Sequence, residues 1–364
     1  MADFRSTMIG RLLGRLLPQL MGVAVLFAPS GCSKARVIPP HPPFPPVARW
    51  EKTLDEPLAS PLVSDGTSVF ASLANGALLG IEPGGGTTIW TRPGDKPGLL
   101  AARPSFLVLA EKGGVVWGIN TRDGSAQWKT TTHVTDVQTV RLDGNRLFLG
   151  GVSGFASIVV STGELRYDLE GKDVRDIDAA GDHLAALEEG ALVVRARETG
   201  AIRFRLQSPE GSFGSPAIFS DGRVVLGSGS RLVREVSKTG RFGWRFKVGA
   251  SVAHRPLDFQ DRKRVGVISY EGVFYELSLR GGDMRRRALL ASRPFGPALF
   301  AAGRIWTAIF EDDVSVIDAG AMKLIGRAKF GGSFLSAPVI VGGVLVAEVT
   351  GPRRLVGLLT APQR

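Results

Sequence analysis

An aromatic residue recurs about every 39 positions along this 364-residue chain, and a glycine usually stands four residues before it. Gly86 precedes Trp90, Gly124 precedes Trp128, Gly163 precedes Tyr167, Gly200 precedes Phe204 and Gly240 precedes Trp244. Gly282 and Gly320 hold the same place before Arg286 and Leu324, where the aromatic is lost, and Trp50 adds a first member without the glycine. The eight positions are 37 to 42 residues apart. Self-similarity at such a period describes one supersecondary unit stacked on its own copies, because a single unit cannot bury its apolar face alone.

Within a unit the order of apolar runs and turns repeats. One copy reads Ser215-Pro216-Ala217-Ile218-Phe219, the turn Asp221-Gly222, Arg223 to Gly227, the turn Ser228-Gly229-Ser230, Arg231 to Val236, Lys238-Thr239-Gly240, and Phe242 to Phe246. Runs of β-branched and apolar residues bounded by such turns are strands joined as hairpins. Four antiparallel strands per unit at this period make a propeller blade. The expected fold is all-β, an eight-bladed β-propeller of four-stranded antiparallel blades. The last copy offers three strands, over 335–340, 344–349 and 355–359, and the missing aromatic strand lies at 47–54. Pairing that N-terminal strand with the last blade would close the ring and remove exposed edges. The 47 glycines, near twice the usual share of about 7%, are the turn residues such a fold demands.

The propeller is expected over 47–360, preceded by a signal over 1–31 and a Pro-rich tether over 32–46. Arg5, Arg11 and Arg15 lead into an apolar run ending in small residues, which is a secretory pattern and too short for a comfortable membrane span. Cys32, the single cysteine, follows directly. One cysteine excludes an internal disulfide and a multi-thiolate zinc site. Ser30-Gly31-Cys32 resembles the bacterial lipoprotein signal, in which the cysteine becomes the acylated first residue, although Pro29 stands where an aliphatic residue is usual. By that signal's sorting rule, Ser33 in place of Asp implies the outer membrane. Six of the eight residues from 39 to 46 are proline. Such a run is a semi-rigid polyproline II spacer, and fifteen residues of it would reach ~45 Å.

The Thr-Gly-x-x-x-Trp unit, with Ser60-Pro61, Ser215-Pro216 and Ala337-Pro338 opening blades, resembles quinoprotein-like propellers, and a lipidated single propeller of this length is similar to the BamB-type lipoproteins of outer-membrane β-barrel assembly. That resemblance implies a lipid-anchored protein on the periplasmic face of the outer membrane, monomeric within a complex. It also implies a barrel-forming partner that carries POTRA domains, of the BamA type. The family's Asp-x-Asp contact motif falls on Asp176 and Asp178, with Arg175 between Val174 and Asp176, and the family's Leu- and Arg-containing stretch in the preceding copy falls on Val140-Arg141-Leu142. From the residues alone, the two carboxylates equally suit turn capping. The face holding the second-to-third turns and the links between blades is expected to gather Asp176, Asp178, Glu188, Glu189 and Arg175, with Glu311, Asp312 and Asp313 from a later blade.

The resemblance also extends to quinone-dependent enzymes, which use a vicinal cysteine pair, a Trp floor and a calcium held by Glu, Asn and Asp; this chain has one Cys and is shorter than those enzymes. No cofactor is expected, and the chain reads as non-catalytic. His41, His133, His183 and His254 are scattered without metal-ligand spacing. Gly84-Gly85-Gly86 and Ser228-Gly229-Ser230 join strand to strand and so do not form phosphate cradles. A quinoprotein-related enzyme and a binder of cell-envelope polysaccharide are the competing readings. The net charge is +11, of which residues 1–31 hold +2. Much of the remaining excess lies in Arg262-Lys263-Arg264, Arg285-Arg286-Arg287 and Arg293. Such a patch is a solvated face, or a contact for acidic headgroups or an acidic partner, while export argues against nucleic acid.

Overall fold

The computed structural model describes residues 48–360, apart from 95, 210, 311–312, 330–331, 335–336 and 351–352. The signal, Cys32 and the tether lie outside the described residues. Strands pair into eight four-stranded antiparallel sheets with no helix among the described residues. Blades 1 to 7 occupy 63–92, 98–131, 137–170, 174–206, 217–247, 257–289 and 299–329. Blade 8 takes three strands from 339–359 and its outer strand, Ala48–Thr53, from the other end of the chain, as the incomplete last repeat requires. That strand pairs antiparallel with Arg354–Leu359, with Trp50 opposite Gly357. First strands of neighbouring blades lie against one another and are therefore the innermost.

The core is a ring of inter-blade clusters, and it explains the period. Each outer-strand aromatic packs on the turn glycine of the following blade. A Cβ built on Gly124 would meet the Trp90 ring at 2.7 Å, and one on Gly163 would meet Trp128 at the same distance. Both glycines are left-handed, with φ of 73° and 75°, so the conformation and the close approach each require the absence of a side chain. The ring N–H then donates to a carbonyl of that next turn: Trp50 Nε1 to Pro83 O at 2.7 Å, Trp90 to Thr121 at 2.9 Å, Trp128 to Val160 at 2.8 Å and Trp244 to Leu279 at 3.1 Å. The Tyr167 hydroxyl donates likewise to Arg197 O. Arg286, where the sequence loses its aromatic, still reaches the Gly320 carbonyl with its guanidinium. The repeat is thus a staple from each blade to the next.

Candidate functional site

The inner strand of blade 4, Val174–Ala180, contains Asp176 and Asp178. The structure brings both to Arg255, on the link into blade 6, and brings Asp178 also to Arg141, on the inner strand of blade 3 (Val137–Asp143). Arg255 donates Nη1 to Asp178 Oδ1 at 3.1 Å, and Nη2 to Asp176 Oδ1 at 2.5 Å and to the Ile177 carbonyl at 2.8 Å. Arg141 Nη2 lies 2.9 Å from the same Asp178 Oδ1. The other oxygen of Asp178 accepts the backbone N–H of Ile218, in the inner strand of blade 5, at 2.9 Å. Elements of four successive blades therefore meet on one carboxylate.

Burial separates the roles. Asp178 is 5% exposed, and its partners surround it. The Arg141 side chain is 43% exposed and that of Arg255 25%, so the guanidinium groups are what solvent meets first. These groups line a cavity of about 600 Å³ together with His254, Asp258 and the apolar Pro256, Leu257 and Leu299. Burial, helped by the charge of Asp178, holds the Asp258 carboxyl above its ordinary range. Burial also depresses the His254 imidazole below 6.5, and its Nε2 has no hydrogen-bond partner among the described residues. The folded state thus takes up this proton at lower pH than the unfolded chain does. Stability is expected to fall as pH drops below 6.5, and His254→Gln is expected to flatten that slope in urea midpoints taken between about pH 7.5 and 5.5.

The other expected surface residues separate. Arg175 points to Asp173 at 2.7 Å on the rim, where Glu189 pairs with Arg205 at 3.1 Å. Glu188 does not belong to that exposed face: its carboxylate takes both arms of Arg195, at 2.7 and 3.0 Å, with both side chains buried. Asp313 is buried as well and faces Arg327 at 3.4 Å. Glu311 and Asp312 lie outside the described residues. Arg255 was not anticipated. It stands in Arg255-Pro256, the slot that holds Ser or Ala before proline in Ser60-Pro61, Ser215-Pro216 and Ala337-Pro338, and that exchange was the available signal.

The eight four-stranded sheets define an eight-bladed β-propeller, with this cluster on its inner strands. Similar folds include a designed protein, Ika8 (TM-score 0.71, 15% identity, 85% of this chain and 100% of that one) and the BamB of Moraxella catarrhalis (0.65, 15%, 88% and 99%). A family profile described as "Outer membrane protein assembly factor BamB" matches residues 48–206. The protein of that description from Yersinia pestis is 23% identical over 303 residues, 77% of this chain and 69% of that one. Its counterpart from Xanthomonas campestris pv. campestris is 29% identical over 94 residues, 26% of this chain and 23% of that one. The chain is thus an eight-bladed propeller similar in sequence, over part of its length, to proteins described as BamB.

Proposed function

We propose that this chain is a non-catalytic docking scaffold in outer-membrane β-barrel assembly, lipid-anchored through Cys32 on the periplasmic face, with a POTRA-bearing barrel protein as its partner. The observation that carries the reading is the pair of guanidinium groups, Arg141 and Arg255, set over the buried carboxylate of Asp178, with Arg255 also on the half-buried Asp176. Two relatives named as assembly factors support it, one across 77% of the chain. In this reading Asp176 and Asp178 are positioning residues, and an acidic or carbonyl-rich segment of the partner meets the arginines. Ion pairs across an interface act on recognition in this way, and losing one partner of a desolvated pair costs affinity strongly.

Capture from detergent-solubilised outer membranes tests it. The immobilised protein is expected to retain a POTRA-bearing barrel protein, and Arg141→Ala to reduce that capture roughly tenfold or more. Stability should change by no more than about 1 kcal/mol, because Arg141 is half exposed and Asp178 keeps its other partners. Recovery of no such protein, or equal capture by the variant, would overturn the reading.

A further inference from the structure

Strands alternate in direction in every blade, so the first-to-second and third-to-fourth turns share one face of the ring, opposite the links between blades. On that face blades 5 and 6 carry Lys238, Arg241, Arg262, Lys263 and Arg280, with Arg285 beside them on the outer strand Met284–Leu289. All six are exposed, and none has an ion-pair partner among the described residues. Of the nearby acids, Asp221 is neutralised by Arg223 and Asp261 by Arg264, which leaves the exposed Asp283, in the turn with Arg280, against six cations. The outer strands Ile202–Leu206, Phe242–Lys247 and Met284–Leu289 contain seven Arg or Lys and no acid. The first residue of each is apolar and exposed: Ile202 at 54%, Phe242 at 38% and Met284 at 45%.

We propose that this face of blades 5 and 6 rests on an anionic phospholipid surface. Cationic side chains alternating with exposed apolar ones match a headgroup layer over an acyl boundary. Protection of edge strands does not account for the pattern, because either sign of charge blunts an edge. The outer strand Leu165–Glu170 of blade 3 mixes Arg166 with Asp168 and Glu170. One sign alone incurs self-repulsion and is sensible where an opposite charge is met. The turn of blade 6 points the same way. Six of the other seven first-to-second turns place a left-handed glycine, at Gly66, Gly144, Gly181, Gly222, Gly303 and Gly342-Gly343, whereas blade 6 holds Gln260 and Arg262 at φ of 60° and 56°. A strained backbone presents an arginine where glycine would be free of strain.

Chain direction selects lipid over an acidic soluble partner. The outer strand of blade 8 begins at Ala48 on this same face, so residues 1–47 join the propeller there. Cys32 is sixteen residues upstream, a reach of ~50 Å if extended. The inference goes beyond the docking reading, and its failure would leave partner capture untouched.

The test uses the full chain with Cys32→Ser, so that no acyl chain contributes, in co-sedimentation with phosphatidylcholine vesicles with and without about one-third phosphatidylglycerol. Binding is expected only to the anionic vesicles, and to be lost between ~0.1 M and ~1 M salt as the screening length falls from ~10 to ~3 Å. Arg262→Gln with Lys263→Gln and Arg280→Gln should weaken it about a hundredfold, with Lys238→Gln and Arg241→Gln as an independent pair acting in the same direction. Arg166→Gln, in blade 3, should leave binding as it is. Equal binding to neutral vesicles, an unchanged triple variant, or binding to polyglutamate with none to vesicles would each overturn the proposal.

Discussion

Asp178→Ala is expected to destabilise the folded propeller by about 2–3 kcal/mol, the cost of taking the acceptor away from hydrogen-bond donors that include charged ones. The Arg141 guanidinium and the Ile218 N–H lose their acceptor, and Arg255 loses one of its three, keeping Asp176 and the Ile177 carbonyl. Ile218 is 4% exposed, so water cannot readily replace the lost oxygen. The two cations would also face each other without the charge between them. Asp178→Asn is the informative companion, since it keeps the shape and an acceptor for Ile218 while removing the charge, and it should cost less. Urea unfolding of the three proteins decides the matter. Equal midpoints for Asp178→Ala and the parent would show that the carboxylate bridges nothing important. The same experiment bears on function, because loss of partner capture in Asp178→Ala would have to be separated from loss of fold. Arg141→Ala is the cleaner probe for that reason.

The second large effect concerns the staples. Trp128→Ala is expected to cost about 3 kcal/mol, the low end of the range for truncating a large aromatic, because the ring is partly buried. Its ring stacks on Phe106 at 6.1 Å, packs over Gly163 of the next blade and donates to Val160 O. Trp128→Phe keeps most of the packing and removes the donor, and should cost about 0.5–1.5 kcal/mol, the net worth of one hydrogen bond. Gly163→Val approaches the same contact from the other side, combining a left-handed backbone with a clash against the ring, and should match the alanine variant in severity. Midpoints that rank Trp128→Phe with Trp128→Ala would mean that the hydrogen bond, not the ring, holds the blades together.

The fold was legible because its signals are local. A left-handed glycine turn and an aromatic four residues on are set within one hairpin, and their repetition at a constant interval counts the blades. The closure could be read for the same reason: three strands at one end and an unmatched Trp50 strand at the other leave one arrangement without open edges. What the spacing did not disclose is the direction of each contact. The glycine before Trp90 meets Trp50, one repeat earlier, not the aromatic it precedes.

The site was legible only in part. Asp176 and Asp178 stand out as a short pattern, but Arg255 reaches them across 77 and 79 residues, a distance that only the ring of inner strands closes. Glu188 has the look of a loop acid beside Glu189, yet Arg195, seven residues on, draws it into a buried pair. Burial of an ion pair depends on what covers it, and that is not encoded in the residues near it.

The sequence by itself determined the period, the blade count, the closing strand and the residues able to carry charge, since these follow from turn chemistry and the alternation of apolar runs. Only the tertiary structure decided which charges meet. Curving eight sheets into a ring sets the inner strands side by side, buries Asp178 among elements of four blades and leaves Arg141 half exposed. The same curvature turns one face of blades 5 and 6, with Arg262, Lys263 and Phe242, toward the side from which the chain enters.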